Sequence, residues 1–230
     1  MKKLAPLIPI AVFLLWWQFM PHSRALFPSL GRIFGFDITV WGHVLASLGR
    51  TAAGAAIGVC CGLFVGFLNC KAVSWFTGLL MPIPGIALAP LLMLWLGFGN
   101  WTLIAVGAFA AFFPVVINVS EGIRSLDPSL LKAAQTLGAS KWRVMLPAAM
   151  VSLLSGLKLA WARAWRTVIA CEFVAAASSG LGYMIWDAAE YLNMGAVYGG
   201  IVVLMGVFLS VDYLFSLVER GTVRKWGMVR

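Results

Sequence analysis

Charge is what this chain has least of. Only 11% of its residues are charged and just eight are carboxylates, against 17 lysines and arginines. An enzyme embedded in a membrane needs paired carboxylates, a histidine cluster or a nucleophile beside a base at membrane depth. Here the deep carboxylates are Glu172 and Asp212, and the two histidines, His22 and His43, both lie near one polar connection. Cysteine is equally uninformative. Cys60, Cys61, Cys70 and Cys171 have no CxxC spacing and fall in or beside apolar runs, which argues against a redox or metal site and reads as buried, inert thiols. No GxxxxGK[ST] phosphate loop is present, so the chain has no means of binding ATP by that route. The net charge of +9 is scattered over the ends of apolar runs, without a basic face or a stacking platform, so nucleic acid is not a partner.

What the chain has in quantity is apolar sequence. Hydrophobic residues make up 62% and the mean hydropathy is +0.94, outside the range of water-soluble domains. The expected fold is all-α, a polytopic membrane protein with six transmembrane helices. The first run, Met1 to Met20, follows two lysines. No small-x-small cleavage site follows it in PHSRALF, so an uncleaved span is expected. The second, about Leu45 to Leu68, carries Gly54, Gly58, Gly62 and Gly66, one continuous small stripe on a helix, which packs closely against another backbone. The third, about Trp75 to Leu96, is interrupted by Pro82, Pro84, Gly85 and Pro90 and must be buried or line a cavity, where its freed carbonyls find partners. The fourth is Trp101 to Val119, the fifth about Ala148 to Val174 and the sixth Ala196 to Leu217, with a short surface helix expected in the polar stretch Ala175 to Gly195.

Between the fourth and fifth runs lies the longest polar interruption of the second half, Ser125 to Pro147. Asp127 and Ser129 can cap a helix that Pro128 opens, and Gly138 stops it. A second short segment, Ser140 to Leu146, is expected to end at Pro147, where a new helix begins. The spacing therefore predicts two short helices with a turn between them, an element shaped to be gripped by a soluble partner. With Met1 inside, the inside segments hold eleven of the lysines and arginines, including Lys71, Arg124, Lys132, Lys141 and Arg143, while the outer loops hold Arg24 and Arg32. That asymmetry places the loop and both termini in the cytoplasm.

The chain resembles the permease subunits of binding-protein-dependent ABC importers, and within them the nitrate, sulfonate and taurine group. The family's cytoplasmic EAA signature reads here Lys132, Ala133 and Ala134, with Leu137, then Gly138, Ala139 and Ser140, then Leu146 and Pro147. SLGR at Ser47 to Arg50, PIPGIALAPLLMLWLGFG from Pro82, FFPVVINVSEGIRSLDP from Phe112, AWRTVIACEF from Ala164 and SSGLGYMIWDA from Ser178 follow in the family's order. Two features depart from it. The usual acidic first residue of the EAA motif is Lys132, and the distance from Gly138 to the Leu-Pro pair is about four residues short, close to one helical turn, so a shortened second helix of preserved orientation is expected.

The resemblance implies a single permease domain over residues 1–230: a first span and outer connection at 1–43, a five-helix core at 44–218 enclosing a cytoplasmic coupling-helix loop at 125–147, and a cytoplasmic tail at 219–230. It implies a bacterial inner membrane location, a second permease copy, two ABC ATPase subunits that hold the ATP and Mg, and a periplasmic or lipid-anchored binding protein. It also implies that this chain has no catalytic residue, cofactor or metal of its own. The coupling residues would be those of the EAA signature above, and the binding protein would touch Ser179, Gly180, Leu181, Gly182 and Tyr183. Candidate pathway residues are Arg50, Pro82, Pro84, Arg163, Arg166 and Glu172. At about 1.5 Å per residue, Arg163 and Arg166 lie roughly 24 to 29 Å beyond Pro147, in the far half of the bilayer. Intramembrane charges face a cavity or one another, so the arginines either line an anion pathway, or pair with Glu172 or Asp212, or snorkel to the outer interface and fix helix positions. Arg166 and Glu172 are about 120° apart on one helix and are poor mutual partners, which favours an interhelical pair such as Arg50 with Glu172. A secondary transporter or channel would show two repeated halves or a charged relay through several spans, and neither is visible.

Overall fold

The computed structural model describes residues 12, 16–17, 28–35, 37–68, 71–174 and 177–225, and among these every regular element is a helix. In chain order they are α1 (Leu30–Ile33), α2 (Thr39–Leu68), α3 (Lys71–Leu80), α4 (Gly85–Leu96), α5 (Asn100–Arg124), α6 (Pro128–Thr136), α7 (Lys141–Glu172), α8 (Leu181–Glu190) and α9 (Met194–Lys225). Three of them, α2, α5 and α9, are long and apolar enough to cross a membrane on those grounds alone. The expected first span lies outside the described residues except for Val12, Trp16 and Trp17; the Trp17 indole donates to the Pro28 carbonyl at 3.2 Å and meets the Tyr198 ring edge-on at 5.3 Å.

α5 is the centre. Its Ala111, Val115, Val119 and Ile123 form one buried cluster with Ala55 of α2 and Ala160 and Ala164 of α7, and its Leu103 and Val106 form another with Ala89 of α4 and Cys171. The glycine stripe of α2 lies flat on it. A methyl group at Gly54 would sit 2.7 Å from the Ile104 carbonyl oxygen, one at Gly62 would sit 2.9 Å from that of Phe112, and one at Gly58 would overlap that of Ala108. In lipid, which is as apolar as leucine, contact of this closeness is what holds two helices together. Cys60 and Cys61 fall off this stripe and are exposed, so only Cys171 of the described cysteines is a buried thiol. α9 closes the other side, packing Val203, Leu204, Val207 and Phe208 onto Trp165 and Ile169 of α7. Lys158 of α7 ties to it through Asp212 at 3.2 Å and Ser216 at 3.0 Å.

The prolines act unequally. The third apolar run breaks at Met81–Pro84 into α3 of 10 residues and α4 of 12, about 15 and 18 Å long, so only the pair together can cross hydrocarbon roughly 30 Å thick. Pro90 and Pro114 stay inside continuous helices. So does Pro147. The separate short helix expected at Ser140 to Leu146 is instead the opening of α7, which runs unbroken from Lys141 to Glu172. A single proline removes one amide donor and leaves the remaining hydrogen bonds of a 32-residue helix in place.

Candidate functional site

Three groupings of polar residues stand out along the bundle. At one end is α6. Asp127 caps it by accepting from the Ser129 amide at 2.8 Å, and the two hydrogen bonds from Ser129 hold the Asp127 carboxyl below the usual carboxylate range. At its other end the Gly138 amide donates to the Gln135 carbonyl and the Ala139 amide to that of Ala134, with Gly138 at φ 76°. This is the bonding pattern that lets a helix end on a left-handed residue, which glycine adopts without strain. Lys132, Ala133, Gly138 and Ser140 are exposed, Ala134 and Ala139 half-buried, and Leu137 is 87% exposed. Leu146 and Pro147 fall within the first turns of α7.

Midway lies a cleft of about 370 Å³ where the α3–α4 break faces α5 and α7. Its lining includes Pro82, Pro84, Phe109, Phe113, Arg163 and Arg166. Four of the six pathway candidates thus meet in one place. Arg163 is half-buried and Arg166 exposed, with the Arg166 Nε 3.4 Å from the Ala162 carbonyl of its own helix. No carboxylate lines the cleft, and among the described residues neither arginine has an acidic partner. Gly85, the first residue of α4, sits so close to α7 that a methyl group there would come within 2.6 Å of Thr167.

The other two candidates are elsewhere and occupied with each other. At the α8 end, Arg50 Nη1 donates to Glu172 Oε1 at 2.8 Å, with the side chains 8% and 0% exposed. Ser47 Oγ lies 2.8 and 2.9 Å from the two carboxylate oxygens and accepts from the Leu181 amide at 2.8 Å. The Gly182 amide donates to Glu172 Oε2 at 2.8 Å. Arg50 also donates to Asn100 Oδ1 at 2.7 Å, the Ser179 carbonyl at 2.5 Å and the Ser179 hydroxyl at 2.9 Å. The Gly180 amide donates to His43 Nδ1 at 3.1 Å, and Tyr183 stacks on the His43 ring. Both oxygens of the buried carboxylate thereby have a donor, which is what makes a buried charge tolerable. Ser47, Asn100 and His43 were not among the candidates. His43, Ser47 and Arg50 stand at i, i+4 and i+7, one face of α2 continuing into the glycine stripe, and that spacing is the signal that could have found them. Ser179 to Gly182, expected as a docking surface, point their polar groups inward; Gly180, Leu181 and Gly182 are buried and Tyr183 half-buried.

With this geometry in hand, comparison with known proteins is specific. Residues 54–224 match the family of the binding-protein-dependent transport system inner membrane component. The chain is 35% identical over 198 residues to the putative aliphatic sulfonates transport permease protein SsuC of Bacillus subtilis strain 168, covering 81% of this chain and 71% of the relative. It is 32% identical over 236 residues to the taurine transport system permease protein TauC of Escherichia coli K12, covering 92% and 86%. Among solved structures, the inward-facing MetNI methionine ABC transporter shares the fold, with a TM-score of 0.71 at 19% identity over 80% of this chain and 95% of that one. The family match takes in the glycine stripe, the broken span, the cleft and the α6 loop, and the chain belongs to the binding-protein-dependent transport system inner membrane components, as a permease subunit of an ABC importer.

Proposed function

We propose that this permease carries a small solute with an anionic group, such as nitrate or an organic sulfonate, taurine included, along a pathway that includes the cleft between the broken third span and α7. The observation that carries the proposal is the charge of that cleft: two guanidinium groups without acidic partners, beside two phenyl rings and two prolines. A free arginine at membrane depth is costly unless it meets water or an anion, and a cationic solute would be repelled there. The names of the two relatives point the same way.

In this reading the α6 end is cytoplasmic, as the excess of lysine and arginine there supports, and both termini lie on that side of a bacterial inner membrane. A second permease copy completes the pathway. The exposed Leu137 and Lys132 enter a groove on each of two separate ATPase subunits, which hold the ATP and Mg. A binding protein delivers solute at the α8 end. Closure of the ATPases moves the α6 loops, and the packing of the spans switches between two arrangements.

The test is uptake of labelled taurine and ethanesulfonate into proteoliposomes holding the permease, its ATPase and its binding protein. Arg163→Gln with Arg166→Gln is expected to lower the initial rate about tenfold or more, equivalent to about 1.4 kcal/mol, with the ATPase still bound. Lysine at both positions is expected to restore part of it. An unchanged rate in the double glutamine variant would remove the cleft from the pathway.

A further inference from the structure

A second cavity, of about 550 Å³ against about 370 Å³ for the cleft, opens where α2 and α9 begin. Its floor is apolar, built from buried Ile33 and half-buried Val40 and Met184, and its rim carries the exposed Arg32, Asp37 and Asn193. α9 meets it through two buried glycines, Gly195 and Gly199, so bare backbone lines that wall. The rim charges are rooted but unpaired. A methyl group at Gly195 would stand 3.4 Å from both the Cβ and the carbonyl oxygen of Arg32, which seats the base of that side chain on α9. The Asp37 carboxylate accepts from the Ile38 amide at 2.6 Å, and Asn193 Oδ1 accepts from the Ala196 amide at 3.4 Å. Among the described residues, Arg32 and Asp37 form no ion pair with each other or with any other group. A cation and an anion held apart across one cavity leave a gap for a ligand that carries both signs.

We propose that this cavity binds an aminoethyl oxyanion, with the tetrahedral anionic group on Arg32 and the Asn193 side-chain amide and the ammonium on Asp37. The proposal rests on the importer reading above, which sets this end toward the compartment from which solute arrives. Charge selects the ligand class. The segments at this end hold Arg24 and Arg32 against Asp37, Asp187 and Glu190, so their field draws neither a free anion nor a free cation strongly. A net-neutral molecule with one charge of each sign meets both rim partners, through the stronger, charge-assisted kind of hydrogen bond. The cleft differs: it presents two guanidinium groups and no carboxylate, and so does not read an amino group. Two sources carry the aminoethyl chemistry. Taurine is an aminoethyl sulfonate, and the head of phosphatidylethanolamine is an aminoethyl phosphate. The first residues of two spanning helices set the cavity at the level of lipid headgroups, and its apolar floor suits the carbon backbone of either.

The test uses the permease–ATPase complex carrying Arg163→Gln and Arg166→Gln, so that the cleft no longer offers its cations. Labelled taurine is titrated onto it in phosphatidylcholine nanodiscs without binding protein. In a second arm, native mass spectrometry counts the lipids retained from nanodiscs holding equal phosphatidylethanolamine and phosphatidylcholine. Saturable taurine binding assigns the solute; retention of phosphatidylethanolamine over phosphatidylcholine by about fivefold or more assigns the lipid, and either result supports the site. Arg32→Gln and Asp37→Asn are each expected to weaken that binding about fivefold or more, and Arg32→Lys to keep most of it. Both side chains are exposed, so the core is undisturbed by these changes. Ethanesulfonate, which lacks the ammonium, is expected to bind at least about fivefold more weakly than taurine. No taurine binding together with no choice between the two lipids would overturn the site, as would Arg32→Gln and Asp37→Asn variants that bind like the parent. Failure of the pathway reading shows separately, as uptake unchanged by the two cleft substitutions, and leaves these titrations as they stand.

Discussion

Replacing Arg50 with methionine removes one half of a buried ion pair and leaves the other half in place. The Arg50 and Glu172 side chains are 8% and 0% exposed, so water screens little of the loss, and an uncompensated buried charge costs about 3–5 kcal/mol. Glu172 keeps Ser47 and the Gly182 amide, which holds the figure toward the lower end. Against that, the two acceptors of half-buried Ser179 lose their donor, at roughly 0.5–1 kcal/mol each, while exposed Asn100 turns to water. The single variant is therefore expected to lose about 4 kcal/mol, and Glu172→Met, which strands Arg50, about as much. The double variant leaves neither charge stranded and is expected to lose about 2–3 kcal/mol less than the sum of the two. The assay is reversible unfolding of the permease from mixed micelles by SDS, with a double-mutant cycle over the four proteins. Amide exchange at Ser179 to Gly182 should rise with the loss in both single variants. Additivity within about 0.5 kcal/mol would mean that the two residues do not act as a pair, and the account of this junction would be wrong.

Glycine substitutions separate close approach from backbone freedom. Gly58→Ala forces α2 away from the Ala108 carbonyl and from Ala111, 2.8 Å away, and is expected to cost about 1–3 kcal/mol in the same unfolding assay; Gly78→Ala on α3, with nothing within 4 Å, should be neutral or stabilising by up to about 1 kcal/mol. Gly138→Asp has room around its new side chain and a residue type that accepts the left-handed region. α6 should therefore remain folded in circular dichroism of the loop peptide or by exchange, while stimulation of the partner ATPase is lost. The Asp127 cap fixes a pH dependence. Its carboxyl is held low in the folded loop, so its contribution is present above the ordinary carboxylate range and is lost as the pH falls through the folded value. Exchange protection of the first turn of α6 should drop on acidification in the parent and not in Asp127→Asn, which caps equally well without titrating.

Much of the Arg50–Glu172 pairing was legible because the chain has so few carboxylates: a charge that must be neutralised in lipid, with almost nothing to neutralise it, leaves a short choice of partners. The glycine stripe was legible for the same kind of reason, since four glycines at helical spacing have one packing use. The inward turn of Ser179 to Gly182 was not. A Ser-Ser-Gly stretch reads locally as an exposed loop, and what reverses it is tertiary: Gly180, at φ 127°, must lie against the Glu172 carboxylate, where no Cβ fits. The continuity of α7 through Pro147 was hidden similarly. The local rule for proline marks a boundary, yet the helix runs on through it into the stretch from Leu153 to Ile169 that packs on α5 and α9. At Met81–Pro84, where two prolines stand two residues apart, the local rule prevails.

That difference between prolines bears on how the chain can move. α7 is one helix of 32 residues, about 48 Å long, and on it lie the attachment of the α6 loop, both cleft arginines and Glu172. A displacement applied at Lys141 is therefore carried to the cleft and to the junction by a single stiff element, not by a relay of loops. The opposite wall of the cleft is the α3–α4 break, where Gly85 rests on Thr167 and only Ala89 of α4 is buried. Of the two walls, the broken one has fewer packed contacts to give up. Widening of the cleft must separate Gly85 from Thr167 while leaving the α2–α5 glycine contact intact, because that contact sets glycines directly on the α5 backbone and on the short side chains of Ala111, Val115 and Val119, which leaves little to deform before the two helices part.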